Sequence, residues 1–276
     1  MAKTQCNGLD QHQKAFIKLV HDNARRHHRH EIFRDFCELA ALSISNSVDR
    51  AQFQAREARY LDIASRYQRE ELERFAQMLA HLVEALEIRP TDVLGQIFMS
   101  LDLGDAWKGQ FFTPYEVSRM MALMTLTDAV SVIEQQGFLL VNEPAAGAGG
   151  MLIAVADALL EQGINYQNAM HATAIDIDAT ACHMAYLQLS LLHVPAIVIH
   201  GNALWPDPAA PHWVTPAHVL GFWDIRLRRR EDQEDSAQPS PTAEHTSAVN
   251  VPDEPLAVQR QSIVTQRLTQ QLSLFS

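Results

Sequence analysis

Cysteine is scarce in this 276-residue chain, and its three copies, Cys6, Cys37 and Cys182, are isolated. An odd and scattered set suggests no disulfide framework, and no Cys-x-x-Cys pair is present to hold a metal. Long apolar runs are also missing: nothing approaches the roughly 20 residues that span a bilayer. The opening Met1-Ala2-Lys3-Thr4-Gln5 does not read as a secretory leader. A reducing, cytosolic setting away from membranes is expected. Positive charge is the third shortage, with a net charge of −11. Residues 1–100 are balanced at 14 basic against 14 acidic, residues 101–230 carry 6 against 12, and residues 231–276 carry 2 against 7. A protein that grips duplex nucleic acid unaided shows a basic face, because phosphate neutralisation dominates its affinity. If nucleic acid is the substrate here, something else must help bring it in.

The apolar content of 47% is enough for one good core and an accessory region. From about Gln11 to Ile88 the pattern is helical throughout. Phe16, Leu19-Val20, Ile32-Phe33, Phe36 and Leu39 recur at helical spacing, as do Leu72, Phe75, Leu79, Leu82-Val83 and Leu86. Pro90 ends the last helix, and Asp92 opens a short segment through Leu101. The run Arg25-Arg26-His27-His28-Arg29-His30 reads as a solvated helix face or inter-helix turn, with a phosphate contact as the functional alternative. Its histidines offer no i, i+4 pair on one face, so no metal site is expected.

Thr113, Pro114 and Glu116 have the spacing of a capping box with proline at the first helical position. The helix they open, to about Thr127, carries Met120, Met121 and Met124, which predicts a core-facing methionine stripe. Next, Gly137-Phe138-Leu139-Leu140-Val141 reads as a buried strand and Met151–Leu160 as a helix closed by Gly163. Between them lies Asn142-Glu143-Pro144-Ala145-Ala146-Gly147-Ala148-Gly149-Gly150. A strand, a glycine-rich turn and a helix bring bare backbone to a ligand at the carboxyl end of a sheet. The turn lacks the Gly-Lys-Ser/Thr of a phosphate-gripping loop, and Leu152 stands where a dinucleotide fingerprint has its third glycine. Glu143 would repel a pyrophosphate but suits an ammonium group. S-adenosylmethionine, with an amino group, a carboxylate, a sulfonium and no phosphate, meets that requirement, while a purely structural tight turn is the alternative.

Ala172–Asp176 reads as a second strand ending in an acid, and Asp178 as the N-cap of a helix through about Leu192. Asp176 stands where nucleotide-type sheets hold ribose hydroxyls. A third strand, Ala196–His200, leads to Asn202, whose amide either meets an adenine edge or satisfies its own turn. Beyond Trp205 four prolines break the pattern, and residues 219–228 offer one further strand. From Glu231 to about Glu254 the chain is acidic, rich in Ser, Pro and Thr and poor in aromatics, so disorder is expected.

The elements Gly109-Gln110-Phe111-Phe112-Thr113-Pro114, Asn142–Gly150, Ala174-Ile175-Asp176-Ile177-Asp178 and Gly201-Asn202-Ala203-Leu204 stand in a familiar order and spacing. Together they resemble the adenine-specific N6 DNA methyltransferases related to the modification subunits of type I restriction systems, over roughly residues 70–205. The resemblance implies an α/β fold: a Rossmann-like S-adenosylmethionine-dependent methyltransferase core, an all-α N-terminal region and a disordered C-terminal tail. The corresponding divisions are residues 1–105, 106–230 and 231–276. It implies S-adenosylmethionine as cofactor, with Thr113 and Pro114 closing over its methionine end. Glu143, Ala145, Gly147 and Gly149 match the loop around its amino-acid part. Asp176 matches the acid on its ribose, and Asn202 occupies the place of an acid that reads its adenine.

The family's catalytic loop, Asn/Asp-Pro-Pro-aromatic, holds a flipped-out adenine. This sequence has none, so no catalytic residue is assigned. Asp207-Pro208-Ala209-Ala210 is the nearest string, and it lacks the second proline and the aromatic. Trp213 and Trp223 offer either base stacking or packing. Four further strands of a seven-stranded sheet have little room, so the sheet is expected to be truncated, or completed by a partner chain supplying the loop. The tail adds Gln271, Leu272, Leu274 and Phe275, which resemble the pentapeptide that docks bacterial polymerases and repair proteins on the DNA sliding clamp. A C-terminal helix folding back is the alternative for these residues. The expected activity is methylation of adenine N6 in DNA, with DNA and the clamp as partners; the competing expectation is an inactive module acting through clamp or partner.

Overall fold

A computed structural model describes residues 8–101 and 112–237. Cys6, Gly109, Gln110, Phe111 and the tail residues Gln271, Leu272, Leu274 and Phe275 lie outside the described residues. The chain starts with four helices: α1 (Gln11–Asn23), α2 (Arg29–Val48), α3 (Phe53–Ala64) and α4 (Arg69–Ile88). A capping box opens α1, with the Asp10 side chain accepting from the amides of His12 and Gln13 while Gln13 returns a bond to the Asp10 amide. The Arg25–His30 run falls at the turn between α1 and α2. Asp92 caps α5 (Val93–Ser100), accepting from the amide of Gly95 at 2.8 Å.

The α/β part follows as α6 (Tyr115–Thr125), α7 (Ala129–Gln136), β1 (Leu139–Glu143), α8 (Gly150–Glu161), α9 (Tyr166–Ala169), β2 (Met170–Asp176), α10 (Ala179–Leu191) and β3 (Ala196–His200). It closes with β4 (His212–Val214), α11 (Pro216–Leu220) and α12 (Trp223–Ala237). The sheet order is β1-β2-β3-β4, with β1, β2 and β3 parallel and β4 antiparallel to β3. The expected α/β architecture is therefore present, with β2 and β3 and their helices close to the bounds read from sequence. One cluster of buried residues runs from Phe16 and Phe33 in the helical region to Ala172 and Val198 in the sheet. An aromatic chain links the two parts: Phe33 packs on Phe98 with ring centroids 5.7 Å apart, and Phe98 on Phe112 at 5.1 Å. Among the described residues no helix is long and apolar enough to cross a membrane.

Five expectations need correction. Thr113 does not cap α6: the N-cap position is Pro114, without a side-chain bond, and Glu116 accepts from Arg89 at 3.1 Å instead. The methionines of α6 do not face the core. Tyr115, Ser118 and Ala122 are buried at a spacing of three and four, and Arg119 pairs with Asp157 and Glu161 of α8. That pairing turns Met120, Met121 and Met124 outward, Met124 to 69% exposure. Residues 219–228 form no strand but enter α12, because Trp223 and Leu227, one turn apart, bury against Phe138. Arg226 and Arg230, also one turn apart, lie over the Phe138 ring. The helix continues through Ala237, past the expected start of disorder at Glu231. Finally, among the described residues β1 is an edge strand and not a buried one, with Leu140 45% exposed.

One buried side chain fixes α5 against the α/β part. Gln188 of α10 is fully buried; its Oε1 accepts from the Leu94 amide at 2.9 Å, and its Nε2 donates to Asp92 Oδ1 at 2.9 Å and to the Ala148 carbonyl at 2.8 Å. Burial pushes the Asp92 carboxyl above its usual range, opposed by its bonds from Gln188 and Gly95. Replacing Gln188 by leucine keeps the volume but strands the Leu94 amide and the Ala148 carbonyl, and leaves the buried Asp92 carboxyl with its Gly95 bond alone. Gln188→Leu is expected to lower unfolding free energy by about 3 kcal/mol in urea titration; a loss under about 0.5 kcal/mol would show that these groups find other partners.

Candidate functional site

The site assembles where three neighbouring parallel strands end. Glu143 closes β1, Asp176 closes β2, and Asn202 follows β3 by two residues. The register places Glu143 beside Ala174 and Asp176 beside His200, so these positions share the carboxyl edge of the sheet. Ligands of open α/β sheets bind at that edge.

The turn between β1 and α8 is built from backbone bonds. The Ala146 amide donates to the Ile175 carbonyl at 2.9 Å, and the Gly149 amide to the Ala146 carbonyl at 2.8 Å. Gly147 has φ +53° and Gly149 has φ +88°, a region that side chains with a Cβ rarely adopt. A Cβ on Gly147 would lie 2.8 Å from the Phe112 ring, and one on Gly149 would lie 3.4 Å from Ala185 Cα on α10. The turn is thus pressed between an aromatic lid and a helix. Gly149 is the N-cap of α8 and brings no side chain, so the first amides of that helix have no side-chain partner there.

Asp176 braces this turn. Its Oδ2 accepts from the Gly147 amide at 2.8 Å and its Oδ1 from the Asp178 amide at 2.9 Å. Asp178 has the capping role expected of it, accepting from the Ala181 amide at 2.9 Å. Glu143 Oε1 accepts from the Ala145 amide at 3.2 Å. Burial holds the Glu143 carboxyl above its usual range; the Ala145 amide opposes this, and the charge of Asp176 adds to it. Two carboxylates facing one cradle favour a ligand carrying positive charge, which would relieve both effects. The Cys182 thiol lies 3.4 Å from the Asp176 carbonyl, and burial pushes its pKa up to about 12, which favours the protonated thiol.

Of the residues singled out from sequence, Glu143, Ala145, Gly147, Gly149 and Asp176 meet in one turn. Thr113 and Pro114 are exposed directly after Phe112, which touches that turn. Asn202 is exposed, and its Oδ1 accepts from the Leu204 amide at 2.9 Å, the bond of a turn residue satisfying its own backbone. Asp207 does the same with Ala209 at 2.8 Å. Trp213 and Trp223 are both buried, so the packing reading holds for each. Trp223 stacks under the Arg226 guanidinium at 3.6 Å, and Trp213 under that of Arg56 at 4.2 Å. Sequence reading missed Phe112 as a contact of the turn, although it stands inside the quoted motif. It also missed Gln188, whose one signal is an amide within a largely apolar helix.

The family model described as N-6 DNA methylase matches residues 97–209. No curated protein matches the chain. Among solved structures the chain is similar to a Listeria monocytogenes protein provisionally assigned as a class I S-adenosylmethionine-dependent methyltransferase. That likeness has 13% identity and a TM-score of 0.41, over 82% of this chain and 70% of that one.

The position of Glu143 makes a prediction about the ligand-free protein. A carboxyl raised in the folded state stabilises it below the unfolded pKa and loses that contribution as pH rises through the folded value. Glu143→Gln is therefore expected to raise the melting temperature at pH 7.5 by on the order of 2 °C. The gain should vanish at a pH below the carboxylate range; an equal gain at both pH values would contradict the assignment.

Proposed function

We propose, from the match of residues 97–209 to the N-6 DNA methylase family model, that this chain is the S-adenosylmethionine-holding part of a DNA N6-adenine methyltransferase. The observation that carries the reading is the meeting of Glu143, Asp176 and the glycine turn at the ends of adjacent parallel strands. When bound, S-adenosylmethionine supplies a methyl group activated on a sulfonium. The residues of the chain hold it. Glu143 takes the ammonium, and the amides of the turn and of the first turn of α8 face the carboxylate. Asp176, with one bond already on each oxygen, retains lone pairs for the ribose hydroxyls. Asn202 lies toward the adenine edge, and Thr113 and Pro114 close over the methionine end with Phe112. In this reading residues 1–105 scaffold the cradle, residues 106–230 carry it, and residues 231–276 form a tether. Gln271, Leu272, Leu274 and Phe275 dock that tether on the sliding clamp. A clamp already encircling DNA would remove the need for a basic face on an acidic body.

A second observation limits what the chain does alone. A flipped adenine needs acceptors for its exocyclic amine and an aromatic face. No two prolines adjoin anywhere in the sequence, and among the described residues no strand pairs with β1 on the side away from β2. This favours completion by a partner chain that adds a strand beside β1 and brings the base-holding loop. The same observation is compatible with an inactive module acting through clamp or partner.

The test has two parts. Calorimetry is expected to show S-adenosylmethionine binding that Asp176→Ala weakens at least about tenfold, the cost of charge-assisted bonds to the ribose. Absence of binding by the folded wild type would overturn the proposal. Incubation with labelled S-adenosylmethionine and adenine-containing DNA is expected to give no incorporation by the chain alone; incorporation would overturn the split arrangement and leave a complete enzyme.

A further inference from the structure

The geometry points to a binding site for a zinc-class divalent ion at His12, His81 and Glu84, which staples α1 to α4. His12 stands in the first turn of α1, and His81 and Glu84 lie three residues apart on one face of α4. His12 Nδ1 is 3.4 Å from His81 Nδ1 and 2.7 Å from Glu84 Oε2, and His81 Nδ1 is 3.0 Å from that same oxygen. Three ligand atoms of the right kinds therefore form one small triangle. A tetrahedral ion with bonds of about 2.0–2.2 Å needs its ligand atoms roughly 3.3 Å apart. The imidazole pair already has that separation, and the carboxylate has to move out by about half an ångström from His12 and about a third of one from His81.

Protons alone satisfy this triangle poorly. For Glu84 to accept from both rings, both Nδ1 atoms must carry hydrogen, which sets two N–H groups against each other. If only one is protonated, the other ring presents a lone pair to a carboxylate. An ion that replaces the protons satisfies all three ligands together. The surroundings suit it. The Asp10 side chain accepts from the His12 amide at 2.7 Å and fixes the backbone that carries the first ligand. The Gln11 Nε2 lies 3.1 Å from His12 Nε2. With that side-chain amide turned over, its oxygen accepts from Nε2–H and leaves Nδ1 free to bind metal, the usual second contact of a ligating histidine. The side chains of His12, His81 and Glu84 are 20%, 31% and 50% exposed, so water has access to complete the coordination. Two imidazole nitrogens select zinc and its neighbours over calcium or magnesium.

The site lies in the helical region and is independent of the cofactor reading; its test does not involve methyl transfer. Full-length protein stripped with chelator is titrated with zinc(II) in competition with a chromophoric chelator, and separately with cobalt(II). One ion per chain is expected, with the visible absorption of tetrahedral cobalt and no sulfur-to-cobalt band. His81→Gln and His12→Gln, each checked for unchanged far-ultraviolet circular dichroism, should weaken binding at least about 100-fold, more than loss of an outer contact costs. A zinc-induced rise in melting temperature should disappear in both. No binding by the wild type, wild-type affinity in both folded variants, or a sulfur band marking a cysteine site would each overturn the proposal.

Discussion

The buried amide of Gln188 is the constraint on which the candidate site depends. It leaves α10 and reaches three backbone or carboxyl groups that belong to different parts of the molecule: the start of α5, the cap residue Asp92 and the carbonyl of Ala148 inside the glycine turn. An apolar residue there would fill space without fixing orientation. An amide with donors and acceptor all engaged fixes both, because each group it leaves would be stranded away from water. The consequence is that the turn's position is set from its outer side by the helical region, and from its inner side by Asp176. The aromatic chain from Phe33 through Phe98 to Phe112 repeats that coupling in apolar form and ends on Gly147. The helical region is thus part of the cradle's construction.

Among the described residues the sheet extends past β3 on one side of the cradle and stops at β1 on the other. Toward β3 it continues into β4, and the buried Trp213 closes that flank against α10. Toward solvent β1 is an edge, with Leu140 exposed and Val117, Met120, Met121 and Met124 of α6 outward. Flexible methionines on an outer face suit contact with another surface better than packing within one chain. The acidic cradle and the β1 side therefore differ in character: one presents carboxylates and backbone amides, and the other presents exposed apolar side chains.

Much of this was legible in sequence where signals were local. The turn at Asn142–Gly150, Asp176 at the end of its strand and the cap at Asp178 follow from spacing and residue type, because backbone geometry demands glycine or a carboxylate at those positions. What failed was decided by distant partners. Thr113-Pro114-Glu116 has the letters of a capping box, yet Arg89 takes Glu116. Met120, Met121 and Met124 have a core-like spacing, but Arg119 is held by Asp157 and Glu161, and that sets which face turns inward. The helix at Trp223 depends on Phe138, far earlier in the chain. His12 and His81 meet across 69 residues, and no spacing rule reveals such a pair.

The central claim is that the turn between β1 and α8 is the cradle for S-adenosylmethionine. Amide hydrogen exchange of the full chain with and without S-adenosylmethionine tests it most directly. Slowed exchange is predicted at residues 143–151 and 176–178, with α1 to α4 unchanged. Unaltered exchange across the turn at saturating ligand, or protection confined elsewhere, would contradict the account.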